Sequence, residues 1–294
     1  MLNKLFSRNK LKPGLVYSQK GNIWRIHFHG DVLACETRDL TSKQVYFFSL
    51  NFKTNELYLK EYQVEEKWWV EIESLNNSII FLNYFKTPEL PEHLGITAVD
   101  LKTGENKWTN TDLTYWFSTN TDVYAVKELF EKKLYFRLDV KTGELSEEFK
   151  DEGIEQYLAE LQNVQESKRY SNLINAEIYD KNNSSIPAHI KRYLDERFYD
   201  IRILGSIEFI EFNNYLVYNY HKDEGVNLKD LNLRNLTNIL EVYDTQNKSI
   251  VYSETLNKQA FNYVPDSFFI NEGYLFFIKE KRELAVINLN SQKS

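Results

Sequence analysis

The chain carries one cysteine, one methionine, five prolines and ten glycines in 294 residues. Nowhere does an apolar run approach the roughly 18 residues that a membrane-spanning helix needs. A single cysteine, Cys35, allows neither an intrachain disulfide nor a thiolate metal cluster, which suits a reducing compartment. The first residues, MLNKLFSRNKLKPG, are positively charged but have no apolar core of signal-peptide length. A cytoplasmic location is therefore expected. Clusters of basic residues are missing too. The 36 Lys and Arg are outnumbered by 43 Asp and Glu, for a net charge of −7, and the two signs interleave along the chain. Nucleic-acid binding gathers cations to neutralise phosphates, so no nucleic acid is expected as a partner, and by the same absence no membrane surface.

What the chain does have is apolar content of 42% and aromatic content of 15%, enough to bury a substantial core and to exclude disorder over most of its length. One short pattern also recurs with the same grammar. In GITAVDLKTGENKW a strand ends at Asp100, Thr103 and Gly104 make a tight turn, and a returning strand carries Trp108. LYFRLDVKTGELSEEF places Asp139, Thr142 and Gly143 in the same register. VYFFSLNFKTNELYLKEY repeats it with Asn51, Thr54 and Asn55. Asn is a sensible replacement in both places, since it accepts backbone hydrogen bonds in turns as Asp does and enters left-handed conformations as Gly does. Weaker copies follow at Asp244 and Asn288.

The segments before each copy repeat as well, in the order strand, turn, strand. WWVEIESLNN and SIIFLNYFK precede Asp100; TYWFSTNTD and VYAVKELF precede Asp139; SIEFIEFNN and YLVYNYHK precede Asp244. Each unit is four short strands at a spacing of about 40 to 50 residues, the period of propeller blades. The pattern predicts a single all-β domain over 1–294, a five-bladed β-propeller of four-stranded antiparallel blades, with six blades as the alternative. Between Asp139 and Asp244 the strand pattern stops. Ile154, Tyr157, Leu158, Leu161 and Val164 have helical spacing, and Pro187 opens a second helical stretch, so a helical insertion is expected over about 151–200. A degraded sixth blade would lie around Leu173 to Asp180. The last blade lacks a fourth strand, and the strand at 15–21 is expected to close it, hiding two edges.

The run Ala98 to Trp108 resembles the tryptophan-docking motif of the quinoprotein-like β-propeller superfamily, whose PQQ-like and WD40-like repeats read Ala-x-Asp-x-x-Thr-Gly-x-x-x-Trp. The resemblance implies that Trp108 packs against a neighbouring blade. It is partial at Asp139, Thr142 and Gly143, and Glu147, Leu59 and Tyr252 stand where other blades would carry tryptophan. The quinone-dependent enzymes of that superfamily look eight-bladed and exported, with a calcium site, an aspartate base and vicinal cysteines. This chain is too short for that and has one cysteine, so no cofactor and no metal are expected. Similar short propellers include assembly factors and many uncharacterised bacterial proteins.

Candidate chemistry is sparse. His27 and His29 share one strand face, where Asp31 or Glu36 could complete a metal site, or the pair could be strand packing with polar tips. Cys35 reads as a buried, inert thiol. His93, His189 and His221 are isolated and fall in or near loops. Trp68, Trp69, Tyr115 and Trp116 stand at the starts of two consecutive blades, where they wedge blades together or form an aromatic binding platform. The leading functional expectation is a non-catalytic protein-interaction scaffold or ligand-binding propeller, with an unidentified protein partner meeting the insertion at Tyr157, Leu161, Tyr193 and Phe198. A small molecule in the central channel is also open. The alternative is a hydrolase or lyase using Glu71, Glu73, Glu208 and Glu211 at that channel.

Overall fold

Period-two alternation, broken by turns rich in Asn, Asp and Gly, folds the chain into five antiparallel sheets and two helices among the described residues: an all-β propeller with a helical insertion. The computed structural model describes residues 11–87, 90–130, 132–151, 153–226, 234–260 and 262–290. Two compact units are present, residues 1–18 with 172–294, and residues 19–171. The first strand, β1 (Leu15–Ser18), belongs to the former.

Residues 19–171 build three four-stranded sheets whose strand order follows chain order. The first holds β2 (Asn22–His29), β3 (Val32–Asp39), β4 (Gln44–Asn51) and β5 (Glu56–Tyr62). In the second are β6 (Val70–Asn76), β7 (Ile79–Thr87), β8 (Leu90–Asp100) and β9 (Asn106–Asn110). The third comprises β10 (Thr114–Ser118), β11 (Asp122–Glu128), β12 (Lys133–Asp139) and β13 (Leu145–Phe149). Helix α1 (Ile154–Arg169) follows and contains all five residues of the helical spacing.

The recurring turn owes its shape to its acid. Asp100 Oδ1 accepts from the backbone N–H groups of Lys102 and Thr103, both at 2.9 Å, and Asp139 does the same for Lys141 and Thr142 at 2.8 and 2.9 Å. Asn51 holds Lys53 and Thr54 in the same way at 2.9 and 3.0 Å. The left-handed residue that completes each turn is Gly104, Gly143 or Asn55. Trp108 lies across the next sheet's turn: its indole N–H donates to the Val140 carbonyl at 3.1 Å, and its ring leaves no room for a Cβ on Gly143. At Gly104 the ring in that place is Tyr62, with Leu59 beside it.

Burial sits between successive sheets, as face-to-face packing of alternating strands requires. Val45, Phe47, Ile72, Leu75, Ile80, Leu82 and Val99 form one such layer, and Phe81, Ile96, Tyr115, Val123 and Leu138 the next. Leu158 docks α1 onto Phe117, Tyr124 and Tyr135, with Leu161 partly buried against the same cluster. The α1 C-terminus is tied down by Arg169, whose guanidinium donates to Ser74 Oγ at 2.8 Å.

The other unit continues with β14 (Leu173–Asn175), β15 (Glu177–Ile178), α2 (Ala188–Arg197), β16 (Glu208–Phe212), β17 (Tyr215–Val226), β18 (Arg234–Asp244) and β19 (Ser249–Ala260). Then come β20 (Phe268–Asn271), β21 (Tyr274–Lys279) and β22 (Glu283–Asn288). Its two sheets run β15-β16-β17-β18-β19 and β1-β22-β21-β20-β14. The stretch from Leu173 to Asp180 is therefore no sixth blade, because β14 pairs with β20 and β15 with β16. Each of these short strands adds a fifth member to an existing sheet. The segment β1 pairs with β22 from Leu15↔Val286 to Ser18↔Glu283. Helix α2 is docked: the Tyr193 ring stacks on Tyr243 at 3.8 Å, and Arg197 reaches both carboxylate oxygens of Glu241.

Candidate functional site

The unit of residues 19–171 brings the first strands of its sheets side by side and puts their polar residues together. Two irregularities in one sheet shape this site. Between β6 and β7 the register passes from Ile72↔Leu82 to Ser74↔Phe81, leaving Glu73 as an unpaired bulge residue. Between β7 and β8 it passes from Asn83↔Ile96 to Tyr84↔Leu94, leaving Gly95, whose φ of +90° suits glycine. Bulges re-aim side chains. Here they turn Glu73 and His93 toward Asn83, which pairs with Glu71 across β6 and β7.

The result is a buried acid–histidine cluster in which one donor atom each from Glu71, Glu73 and His93 lies within 4.8 Å of the others. Glu71 is buried and accepts from Arg25 on β2, and His93 Nε2 stands 3.2 Å from its other oxygen. Asn83 Nδ2 donates to Glu73 Oε2 at 2.5 Å and to His93 Nδ1 at 3.2 Å, which leaves Nε2 as the protonated nitrogen facing Glu71. Asn83 is fully buried, and its carbonyl oxygen has no hydrogen-bond partner. Burial, and then the neighbouring Glu71 charge, push the Glu73 carboxyl up to about 7, against the partial relief of Arg25.

His93 also forms part of the wall of a cleft of about 630 Å³, with Asp112, Thr114, Trp116, Lys127 and Glu155 among its other lining residues. Its lining holds four carboxylates, Glu92, Asp112, Glu128 and Glu155, against two amines, Lys127 and Lys133. The Trp116 ring leans on Tyr135 at 5.3 Å and meets Phe117 edge-on at 5.6 Å.

The other residues singled out in the sequence take varied places. Trp69 meets Phe85 at 5.7 Å, and Phe85 meets His93 at 4.9 Å, so one expected aromatic reaches the cluster through a single ring. Trp68 instead lies under the Arg38 guanidinium at 5.2 Å. Tyr115 is buried, its hydroxyl bonded to Ser118 Oγ at 2.9 Å. Tyr157 is 60% exposed on α1, whereas Tyr193 and Phe198 pack against Tyr218 in the other unit. Cys35 is fully buried, and burial raises its thiol pKa well above the ordinary range.

His27 and His29 do not gather the carboxylates considered for them. Glu36 accepts from Arg38 Nε at 2.6 Å and from the Ile72 amide at 2.9 Å, and Asp31 is bonded to Lys53. Burial and the nearby Arg169 charge lower His27 to about 4, and the same two causes lower His29. Glu208 and Glu211 belong to the other unit and do not converge: Glu208 is buried against the Asp266 amide, and Glu211 bonds His189 at 2.7 Å.

The residue that sequence reading missed is His93. It sits on β8, not in a loop, just as His189 sits on α2 and His221 on β17. Gly95 inside a strand pattern was the available signal, since an isolated strand glycine marks a bulge.

Fold and site thus define a β-propeller with a buried acid–histidine cluster beside an acidic cleft. A family model described as a domain of unknown function (DUF4905) matches residues 27–108, which include Glu71, Glu73, Asn83 and His93. No curated protein matches the chain. Among solved structures it is similar to the uncharacterized protein lmo1340 from Listeria monocytogenes EGD-e, at 14% identity over 95% of this chain and 99% of that one, with a TM-score of 0.32. A member of the duf4221 family from Bacteroides vulgatus is 7% identical over 95% and 97%, at 0.30. BamB from Moraxella catarrhalis is 8% identical over 90% and 83%, at 0.28. None of these similarities says what this chain binds.

Proposed function

We propose that this chain is a non-catalytic ligand-binding propeller of the quinoprotein-like repeat type, acting as a single domain in a bacterial cytoplasm. Its ligand is a small molecule carrying positive charge, held in the cleft beside His93. The carrying observation is the lining of that cleft: four carboxylates against two amines, around the Trp116 ring. Carboxylates supply charge complementarity and an indole face attracts cations, so the two features favour the same ligand chemistry. The tryptophan-docking contact of Trp108 on Gly143 supports the repeat assignment.

The test is calorimetry on EDTA-treated protein with agmatine, choline and spermidine as probes and neutral sugars as controls. Saturable binding of an amine, lost in Trp116→Ala, is the expected outcome. Binding of sugars alone, or amine binding indifferent to Trp116, would overturn the reading.

Two other readings each have one observation behind them. A protein partner on the insertion is favoured by Tyr157 and Val164, exposed seven residues apart on α1. Acid–base chemistry is favoured by Glu73, held near 7 beside Glu71.

A further inference from the structure

We infer that Glu71, Glu73 and His93, held in place by Asn83, form a binding site for one divalent first-row metal ion of the manganese or zinc kind. This goes beyond the cleft reading, because the site stands on its own geometry whether or not the cleft takes an amine.

Donor atoms from Glu71, Glu73 and His93 lie within 4.8 Å of one another. Metal–ligand bonds of about 2.0–2.2 Å let one ion bridge donors up to roughly 4.4 Å apart, so a small contraction closes the shell. The donors are not a chance meeting of surface acids. Glu71 is buried, and the bulges at Glu73 and Gly95 turn the other two toward it.

The second observation is Asn83. Its side chain is fully buried, its nitrogen reaches both Glu73 and His93, and its carbonyl oxygen meets no donor. A buried acceptor without a partner is a rare and unfavourable thing. Through its nitrogen Asn83 holds Glu73 and His93 beside the place a cation would take.

Charge balance points the same way. Two carboxylates share the cluster with one guanidinium, so the cluster has room for further positive charge. A dication supplies that charge. It also releases Arg25, whose side chain is 37% exposed and free to turn outward. One imidazole nitrogen with two carboxylates suits manganese or zinc, whereas magnesium and calcium prefer oxygen alone. The acidic cleft beside His93 supplies a route of entry.

The experiment uses the full chain, stripped with EDTA and dialysed, titrated with manganese chloride and with zinc chloride by calorimetry. Free manganese is followed in parallel by its electron paramagnetic resonance signal. One equivalent is expected to bind with a dissociation constant on the order of micromolar, weakened roughly tenfold or more in Glu73→Gln and in His93→Gln. Glu56→Gln, a change at an exposed position of β5, should leave it unaltered. Tryptophan fluorescence checks that each variant is folded, and if one is not, the other carries the comparison. No saturable binding to wild type, or equal binding by a folded Glu73→Gln or His93→Gln protein, overturns the site. Trp116→Ala separates the two readings, since it should abolish amine binding and leave manganese affinity intact.

Discussion

Replacing Glu73 by glutamine should stabilise the protein in mild alkali and leave it unchanged in acid. Glutamine keeps the shape of the side chain and an oxygen for the Asn83 amide, which donates to Glu73 Oε2 at 2.5 Å. Only the charge is lost. In the folded protein this carboxyl titrates at about 7 against an ordinary 4.5, chiefly through burial and secondly through Glu71. A carboxyl whose pKa is raised on folding binds more protons in the native state between those two values, so stability falls as pH climbs from about 4.5 through 7. At about 1.4 kcal/mol for each pH unit of separation, the full penalty reaches ~3 kcal/mol. The side chain is 28% exposed, and solvent screening brings the expected gain from Glu73→Gln to roughly 1–3 kcal/mol at pH 8. At pH 4 the variant and wild type should agree within about 0.5 kcal/mol. Urea unfolding followed by tryptophan fluorescence is the assay, on EDTA-treated protein at both pH values. All five tryptophans, Trp24, Trp68, Trp69, Trp108 and Trp116, fall within residues 19–171, so the signal reports the unit that holds Glu73. Equal stability of the two proteins at pH 8 would mean that Glu73 ionises as it does in water, and a less stable variant would mean that its charge is favourable. Either result refutes the electrostatic account.

Three further outcomes are expected from the same assay. Gly143→Ala places a Cβ about 2.5 Å from the Trp108 ring at a φ of +70°, and should cost about 1–3 kcal/mol through clash and backbone strain together. Arg38→Ala strips the buried Glu36 carboxylate of the guanidinium 2.6 Å away, and a loss of about 3–5 kcal/mol should appear as a large fall in urea midpoint. On α1, Leu161→Asp buries a charge against Phe117 and Tyr135 and should destabilise by about 2 kcal/mol or more, whereas Tyr157→Asp, at an exposed position, should stay within about 0.5 kcal/mol. Tyr157→Asp is accordingly the cleaner variant for asking whether α1 meets a partner, because it changes the surface without loosening the helix.

The blades were legible because their turns are locally encoded. Asp100, Asp139 and Asn51 each bond the two amides that follow them, so a four-residue pattern is enough to announce the turn. The helices were legible for a similar reason, since the apolar spacing of Ile154, Leu158 and Leu161 is a property of one short segment. Leu173 to Asp180 misled because strand character does not say which sheet a strand joins; β14 and β15 found open places on two different ones. The site was half legible. Glu71 and Glu73 stood out as first-strand acids, but His93 joins them only through register shifts on two strand pairs. Such shifts depend on pairing between strands, and around His93 only Gly95 hints at one.

The junction between β14 and β15 ties two sheets together through one residue. Asn175 pairs with Phe269 in one sheet and Glu177 with Phe209 in another, with Ala176 alone between them. A chain advances at most about 3.6 Å per residue, so the two attachment points can stand no more than ~7 Å apart. The segment works as a ruler and a rivet together. A protease that cut at Ala176 would free one strand end in each sheet, and fraying there would uncover one edge of β16 and one of β20 in a single event. One nick would leave each sheet a strand shorter, with β20 and β16 as new edges ready to take a strand from another chain.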